Sequence, residues 1–301
     1  MFNQGLRISN KEYREKEGIS SSDLKKIVKS PAHFRYWKDN PQEDTPALLF
    51  GRAAHKYMLE PNDFFTEFEV AKDFKYGTKL DKEETQNFIC KKAIEVGRGE
   101  EWDNFITKNP KKEDVIAFYR SLLKGKDIIT AEEFEKIKEM HKALYSTEFV
   151  ADLLSGEKEL SFFAVDDDTL LPLKCRPDCL SIVKGTNILV DYKTCNDAEN
   201  MRFYRDSVKL NYDLQMAYYL DILKKVTGED FLVVILAQEK SAPYAVNVFE
   251  LSEQYLESGR EVYREMLKVY AECEKSGNWY GYMKNGISTL GMPDDEEMEE
   301  E

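Results

Sequence analysis

Two apolar runs separated by a short polar turn dominate the pattern in the second half of the chain. The runs occupy residues 180–183 and 188–190, and the turn between them reads Lys-Gly-Thr-Asn. Apolar runs on both sides of a glycine-containing turn are typical of a β-hairpin. We therefore predict that this region folds back on itself as two antiparallel strands, with the turn centred on residues 185 and 186.

The surrounding segments predict an α/β (α+β) core. An almost wholly apolar run at residues 231–237 is typical of a central strand that is buried on both faces. The order of the elements predicts a mixed central sheet flanked by helices. Strands are predicted near residues 159–166, 172–183, 187–194, 231–239 and 243–251, and helices near residues 207–225 and 253–275.

The N-terminal half is predicted to be mainly helical. Residues 20–22 are serines placed to cap a helix, and Pro31 is placed to begin the next one. Small and apolar residues around His55 recur at helical spacing and predict a buried helix. Residues 61–155 are mostly charged and carry no recognisable chemistry. We predict one domain over residues 1–285, within which residues 61–155 form a helical elaboration.

The predicted hairpin gathers three charged side chains. Side chains alternate between the faces of a strand, so Asp191 and Lys193 share one face while Tyr192 points away. The predicted turn places Asp178 opposite Lys193, at about 5 Å, and diagonal to Asp191, at about 7–8 Å. A divalent cation fits between these carboxylates. An ordinary surface hairpin is the alternative, but charges directly after a buried run are less expected there.

Two carboxylates with a lysine suit phosphodiester hydrolysis. Oxygen ligands hold Mg²⁺ while leaving it several waters, and the ion activates one water and neutralises phosphoryl charge. A lysine ammonium is a compact charge that orients the water or stabilises the transition state. The pattern therefore indicates a metal-dependent nuclease in which Asp178, Asp191 and Lys193 are catalytic.

The same residues resemble a known signature. Asp178 in an Arg-Pro-Asp segment, followed by the Asp191-Tyr192-Lys193 triplet, resembles the PD-(D/E)xK nuclease motif of restriction-endonuclease-like cores. Taken alone this pattern also occurs by chance. Further features, spread over about residues 19–220, resemble the RecE-type (exonuclease VIII-like) exonucleases of phages and prophages. They are residues 19–22 leading to Ser30-Pro31, residues 51–55, Glu159, and Gln215 with Tyr219.

The resemblance implies roles for residues outside the hairpin. It implies that His55 binds the metal together with Asp178, Asp191 and the backbone carbonyl of Tyr192. From the helix pattern alone, a neutral histidine in the core is the favoured interpretation of His55. The resemblance also implies a catalytic role for Glu159, although most of the chain's 57 acidic residues are expected to be solvated.

Gln215 and Tyr219 are four residues apart, so they lie on the same face of a helix. The resemblance implies that this face looks at the hairpin and is part of the catalytic site. An amphipathic helix whose polar residues only border the core is the alternative. By the same resemblance and by charge, Ser22, Arg52 and Arg176 are candidates for contact with DNA phosphates.

A net charge of −14 is unusual for a protein that binds DNA. Residues 294–301 carry seven acidic groups, which is half of the excess. We predict that residues 286–301 form an acidic, disordered tail. The tail either promotes solubility, docks to a basic partner, or competes for the DNA channel. A local basic strip and bound metal ions allow the rest of the chain to bind DNA.

Other cofactors and locations are disfavoured. The five cysteines form no CxxC pair, so we expect neither an iron–sulfur cluster nor a zinc site, and free thiols favour a reducing interior. No GxxxxGK[ST] loop is present, so we expect no bound nucleotide. The sequence shows no leader and no apolar run that is long enough for a membrane. We therefore expect a cytoplasmic protein of a bacterial host.

Taken with the resemblance, these observations imply a Mg²⁺-dependent 5′–3′ exodeoxyribonuclease, with Mn²⁺ as a substitute ion. It would act on linear double-stranded DNA and leave 3′ overhangs for a single-strand-annealing recombinase encoded by a phage or prophage. The family forms rings, so a homo-oligomer is expected. The alternatives are another PD-(D/E)xK activity, such as an endonuclease or a helicase-coupled nuclease, and a module that binds DNA ends or a recombinase without catalysis.

Overall fold

The computed structural model describes residues 2–41, 44–71, 74, 77–123 and 125–282. The predicted acidic tail lies outside the described residues. Within them, the strands form three sheets, and the largest has five strands. The strands are β1 (Phe68–Ala71), β2 (Asp127–Thr130), β3 (Glu157–Lys158), β4 (Phe162–Val165), β5 (Pro172–Cys175), β6 (Cys179–Val183), β7 (Thr186–Cys195), β8 (Leu232–Glu239) and β9 (Val246–Glu250).

The central sheet has the strand order β3-β6-β7-β8-β9. Only β7 and β8 run parallel, and the other neighbours are antiparallel. The prediction of a mixed central sheet is therefore confirmed. The strand predicted to be buried on both faces is β8, which lies between β7 and β9. Two small pairs, β1-β2 and β4-β5, lie outside this sheet.

Helices cover both faces of the sheet. Ser20 caps the second helix by accepting a hydrogen bond from the Asp23 N–H, and Pro31 begins the third, as predicted. No helix of the described chain has the length and apolar composition of a membrane span. The helices are α1 (Asn10–Glu15), α2 (Ser21–Lys29), α3 (Pro31–Asp39), α4 (Pro46–Leu59), α5 (Phe64–Glu67), α6 (Lys79–Glu95), α7 (Gly99–Ile106), α8 (Lys112–Leu122), α9 (Ala131–Leu144), α10 (Glu148–Leu153), α11 (Asn200–Lys209), α12 (Tyr212–Thr227) and α13 (Glu253–Ser276).

The structure divides two elements that the sequence pattern predicted as continuous. The strand predicted over residues 172–183 is two strands, β5 and β6, which belong to different sheets. The helix predicted over residues 207–225 is the end of α11 followed by α12, because Asn211 adopts a left-handed conformation with φ 51°. Glu159 lies before its predicted strand, which begins at Phe162, and its φ of 54° keeps it out of the sheet.

The hairpin turn differs from the prediction by one position. Lys184 and Gly185 form the turn, and both have positive φ, as a two-residue type I′ turn requires. Val183 therefore pairs with Thr186, and the same register continued to the start of β6 places Asp178 opposite Asp191 instead of Lys193. The face of each side chain is unchanged, since the register moves by two positions along the partner strand.

The central sheet separates two apolar layers. Along β8, Val233 and Ile235 pack with α2, α12 and α13, while Val234 and Leu236 pack with α4 and α9 on the other face. A third apolar cluster is formed by α6, α7 and α8 around Trp102. The helices that carry His55 and Gln215 therefore approach the hairpin from opposite faces, α4 from one and α12 from the other.

Candidate active site

The two hairpin aspartates lie where strand β6 begins, beside strand β7. Asp178 is 8% exposed and Asp191 is fully buried. The Tyr192 N–H donates to Asp178 Oδ2 at 2.7 Å, which fixes that carboxylate beside strand β7. The tyrosine side chain points to the other face, where its hydroxyl donates to Gln238 at 2.7 Å. The alternation of β7 thus presents Asp191 and Lys193 on one face, as predicted.

His55 brings a nitrogen ligand to the same place. From α4, its Nε2 lies 3.0 Å from Asp178 Oδ1, and its Nδ1 lies 3.8 Å from Glu159 Oε1. One potential ligand atom from each of these three residues lies within 4.8 Å of the others. His55 thus faces the carboxylates, although the helix pattern alone favoured a core histidine.

Arg176 holds Glu159 in position. Its Nε donates to the Glu159 backbone carbonyl and lies 3.0 Å from Glu159 Oε2. The other guanidinium nitrogens donate to Ile8 O at 2.7 Å and Asn10 Oδ1 at 2.9 Å. With its side chain only 11% exposed, Arg176 supports the site from within. Contact with a DNA phosphate would compete with these bonds.

Both carboxylate oxygens of Asp191 contact neighbouring side chains. Its Oδ1 accepts a hydrogen bond from Gln215 Nε2 at 3.1 Å, and its Oδ2 forms an ion pair with Lys193 Nζ. That ion pair is close but poorly directed, so Asp191 Oδ2 is a buried oxygen without a well-formed hydrogen bond. Gln215 therefore does face the hairpin. One turn further along α12, Tyr219 meets the Ser21 side chain on α2.

The charges of the site are strongly coupled. Burial raises the pKa of Asp191, and it raises that of Glu159 to about 7. Burial opposes the charged form of His55, but Asp178 and Glu159 outweigh it and raise the His55 pKa to about 9. The same opposition holds at Lys193, where burial is outweighed by Asp191 and Asp178 and the pKa is raised. At Asp178, burial is outweighed by His55 and Lys193, and the pKa is lowered. Asp191 and Glu159 are therefore the carboxyl groups that are short of positive charge.

These residues fit a divalent cation. The donor set of carboxylates and one imidazole suits ions such as Mg²⁺ and Mn²⁺. Asp191 Oδ2 lacks a well-formed hydrogen bond, and the raised pKa values of Asp191 and Glu159 show that extra positive charge would stabilise their ionised forms. His55, Glu159 and Asp178 bring potential ligand atoms within 4.8 Å of one another, and the hairpin register places Asp191 opposite Asp178.

The other residues predicted to contact DNA are Arg52 and Ser22. Arg52 lines the groove beside His55 and is paired with Asp44 and Asp127. Ser22 is exposed on the first turn of α2. The groove has a volume of about 580 Å³ and is open to solvent. Its basic lining residues are Arg14, Arg52, Lys56, Lys193 and Lys240.

Sequence reasoning missed two residues next to the cluster. Lys25, on α2, donates to Gln215 Oε1 at 2.8 Å. The Lys25 and Lys193 ammoniums both lie near the Tyr212 ring, at 4.9 and 5.1 Å from its centroid. Lys25 and Gln215 are 190 positions apart, so no local pattern could reveal this contact.

Comparison with known families agrees with this geometry. The family model described as a PDDEXK-like domain of unknown function (DUF3799) matches residues 20–285. The chain belongs to this family. The predicted PD-(D/E)xK superfamily and fold are thereby confirmed. PD-(D/E)xK nucleases depend on divalent metals, in accord with the clustered ligands.

A solved structure has a similar fold. The "Putative exonuclease" from Eubacterium rectale is 14% identical, with a TM-score of 0.55, and the match covers 96% of this chain and 97% of that one. SSO0001 is 9% identical with a TM-score of 0.29, covering 76% of this chain and 88% of that one, which is too distant to carry an argument. No curated protein matches this chain significantly.

Proposed function

We propose that this protein is a Mg²⁺-dependent 5′–3′ exodeoxyribonuclease. It would digest one strand of linear double-stranded DNA and leave a 3′ overhang for single-strand-annealing recombination. The observation that carries the proposal is the convergence of His55, Asp178, Asp191 and Lys193 at one edge of the sheet. These are residues on which the resemblance to RecE-type exonucleases rests. The E. rectale protein of the same fold is also described as an exonuclease.

The proposed metal ligands are His55, Asp178, Asp191 and the Tyr192 backbone carbonyl, with Glu159 beside them. A bound Mg²⁺, or Mn²⁺ in its place, would supply a water of lowered pKa and neutralise phosphoryl charge. The chain's own residues keep the ligands in position. Arg176 holds Glu159, the Tyr192 N–H holds Asp178, and Gln215 holds Asp191.

Lys193 is the cation that this chain itself supplies to the reaction. Its ammonium stays protonated, because the pKa is raised by the two aspartates despite burial. A permanently charged ammonium is suited to orienting the attacking water and to stabilising negative charge on the phosphoryl oxygens, and unsuited to removing a proton. DNA would enter by the open groove, past Arg52, Arg14 and Lys240, with Ser22 on the adjoining helix.

We also propose the biological setting that the resemblance implies. The protein would form a homo-oligomeric ring around DNA and hand its product to a single-strand-annealing recombinase. It would act in the cytoplasm of a bacterial host as a phage or prophage product. Size-exclusion chromatography with light scattering, with and without linear duplex DNA, measures the oligomeric state. A monomer under both conditions would contradict the ring.

The direct test compares linear with closed circular duplex DNA in the presence of Mg²⁺. The linear substrate carries a label at the 5′ end of one strand, or at the 3′ end in a matched sample. We expect early release of the 5′ label, late release of the 3′ label and an intact circle. Cutting of the circle would indicate an endonuclease instead. Binding of DNA ends without digestion would indicate a module that has no catalytic role.

A further inference from the structure

The ammonium of Lys25 is connected to Asp191 through a single side chain. Lys25 Nζ donates to Gln215 Oε1 at 2.8 Å, and Gln215 Nε2 donates to Asp191 Oδ1 at 3.1 Å. The lysine lies on α2 and the glutamine on α12, and the two helices share the same apolar layer. These two hydrogen bonds thus link helix α2 to the buried carboxylate of Asp191.

This connection decides which way the Gln215 amide points. An amide has an accepting end and a donating end, which a rotation of the group exchanges. An ammonium only donates and a carboxylate only accepts, so one orientation satisfies both Lys25 and Asp191. The opposite orientation would place the amide NH₂ against the ammonium and the amide oxygen against the carboxylate. Lys25 therefore favours the orientation in which Gln215 holds Asp191.

The position of Lys25 is itself well defined. Its ammonium lies 4.9 Å from the centre of the Tyr212 ring, whose other cationic neighbour is Lys193. Such contacts between a cation and an aromatic ring are stabilising, and more so when water is excluded. Lys25 is thus half-buried against an aromatic ring, whereas Lys29 on the same helix is exposed.

We propose that Lys25 is a positioning residue of the active site, which acts on Asp191 through the Gln215 amide. The inference rests on the proposed function, in which Asp191 is a metal ligand. Partners that orient a metal ligand typically contribute 10–100-fold to metal affinity or activity. In this account Lys25 touches neither the metal nor the DNA, and its whole effect passes through Gln215.

A double-mutant cycle tests this route. Lys25→Met removes the donor and keeps most of the side chain's length, and Gln215→Met removes the amide. We expect each variant to lower kcat on linear duplex about 10–100-fold, with KM for DNA little changed. The double variant should be no slower than Gln215→Met, within about threefold. Lys25→Arg should recover part of the loss, and the exposed Lys29→Met on the same helix should match the wild type.

Three results would overturn the inference. Lys25→Met could match the wild type, the two losses could multiply in the double variant, or only KM could rise. The last two outcomes would mean that Lys25 acts on its own, by contacting DNA. Circular dichroism of each variant separates these results from a failure to fold.

The proposed function can fail separately. If the folded wild type leaves DNA intact, that function is wrong, and the same cycle is then read from Mn²⁺ affinity by calorimetry. We expect each single variant to bind Mn²⁺ at least about tenfold more weakly, again without additivity. Equal affinity in Lys25→Met and the wild type would overturn the positioning role on this readout.

Discussion

The active site and the helical module of α6, α7 and α8 are built on opposite principles. At the sheet edge, Asp178, Asp191 and Lys193 are charged groups that the fold holds away from water. In the module, the buried residues are apolar or aromatic apart from the uncharged Thr85, with Trp102 and Tyr119 among the largest. The ion pairs of the module, such as that between Arg98 and Glu101, lie at its surface.

The difference in buried charge between the two regions indicates which of them carries the function. Burying charges is costly, and an apolar replacement of similar shape often gives a more stable protein. A fold that keeps several charges buried at one place therefore gains something other than stability. The module shows no such arrangement among its described residues. Variants in the two regions should therefore differ in what they lose.

The largest effect is expected from removal of the active-site lysine. Lys193→Ala should lower Mg²⁺-dependent digestion of linear duplex by at least about 10³-fold, because the ammonium stabilises charge that develops in the reaction. The fold should remain intact, as measured by circular dichroism. The matched variant in the module, Lys112→Ala, removes an exposed lysine and should retain full activity. Unimpaired digestion by Lys193→Ala would defeat the proposed mechanism.

The module should respond to the loss of its central aromatic residue. Trp102 is 3% exposed and packs against Phe105 and Phe118. Trp102→Ala should lower the free energy of opening of this module by about 3–5 kcal/mol, as large cavities do. Hydrogen exchange should accelerate in α6, α7 and α8 and remain unchanged in β7. A comparable loss of protection in β7 would show that the two regions unfold as one unit.

The sequence predicted the chemistry of the site better than its exact pairing. Side-chain alternation follows from the strand itself, so Asp191 and Lys193 could be placed on one face without knowledge of the turn. The register of the hairpin could not be predicted in this way, since Lys184-Gly185 and Gly185-Thr186 are both plausible turn centres. Only the backbone shows that Lys184 accepts a positive φ.

The sequence pattern could not predict contacts between segments that are distant along the chain. Arg176 is a predicted DNA contact, but its guanidinium donates hydrogen bonds to Glu159 and to the N-terminal segment. Lys25 gave no signal at all, because its partner is on another helix. Local periodicity determines which face a residue occupies, whereas its neighbours depend on how the elements pack.

A smaller effect is expected where α13 crosses α12. A Cβ added at Gly259 would lie 2.2 Å from the backbone carbon of Asp213, two positions before Gln215. Gly259→Ala should therefore destabilise the fold by about 1–3 kcal/mol through overpacking. It should also reduce activity, because α12 carries Gln215 toward Asp191. Chemical denaturation and the linear-duplex assay measure the two effects. Full stability in this variant would show that α13 can shift without cost.

The smallest effect is a titration in the metal-free protein. The His55 imidazole should titrate in NMR spectra with a midpoint at about 9, because Asp178 and Glu159 outweigh burial. Asp178→Asn removes the nearer charge, so the midpoint should fall. His141 provides an internal reference, since burial lowers its pKa and no described carboxylate raises it. An unchanged His55 midpoint in Asp178→Asn would mean that the two side chains do not meet in solution.

The central claim is that His55, Asp178 and Asp191 share one divalent cation. Calorimetric titration of Mn²⁺ into the wild type and into Asp191→Ala tests it most directly. The account predicts saturable binding to the wild type, and a loss of at least about 10-fold in affinity in the folded variant. If Asp191→Ala binds Mn²⁺ as tightly as the wild type, the ion does not lie between these carboxylates.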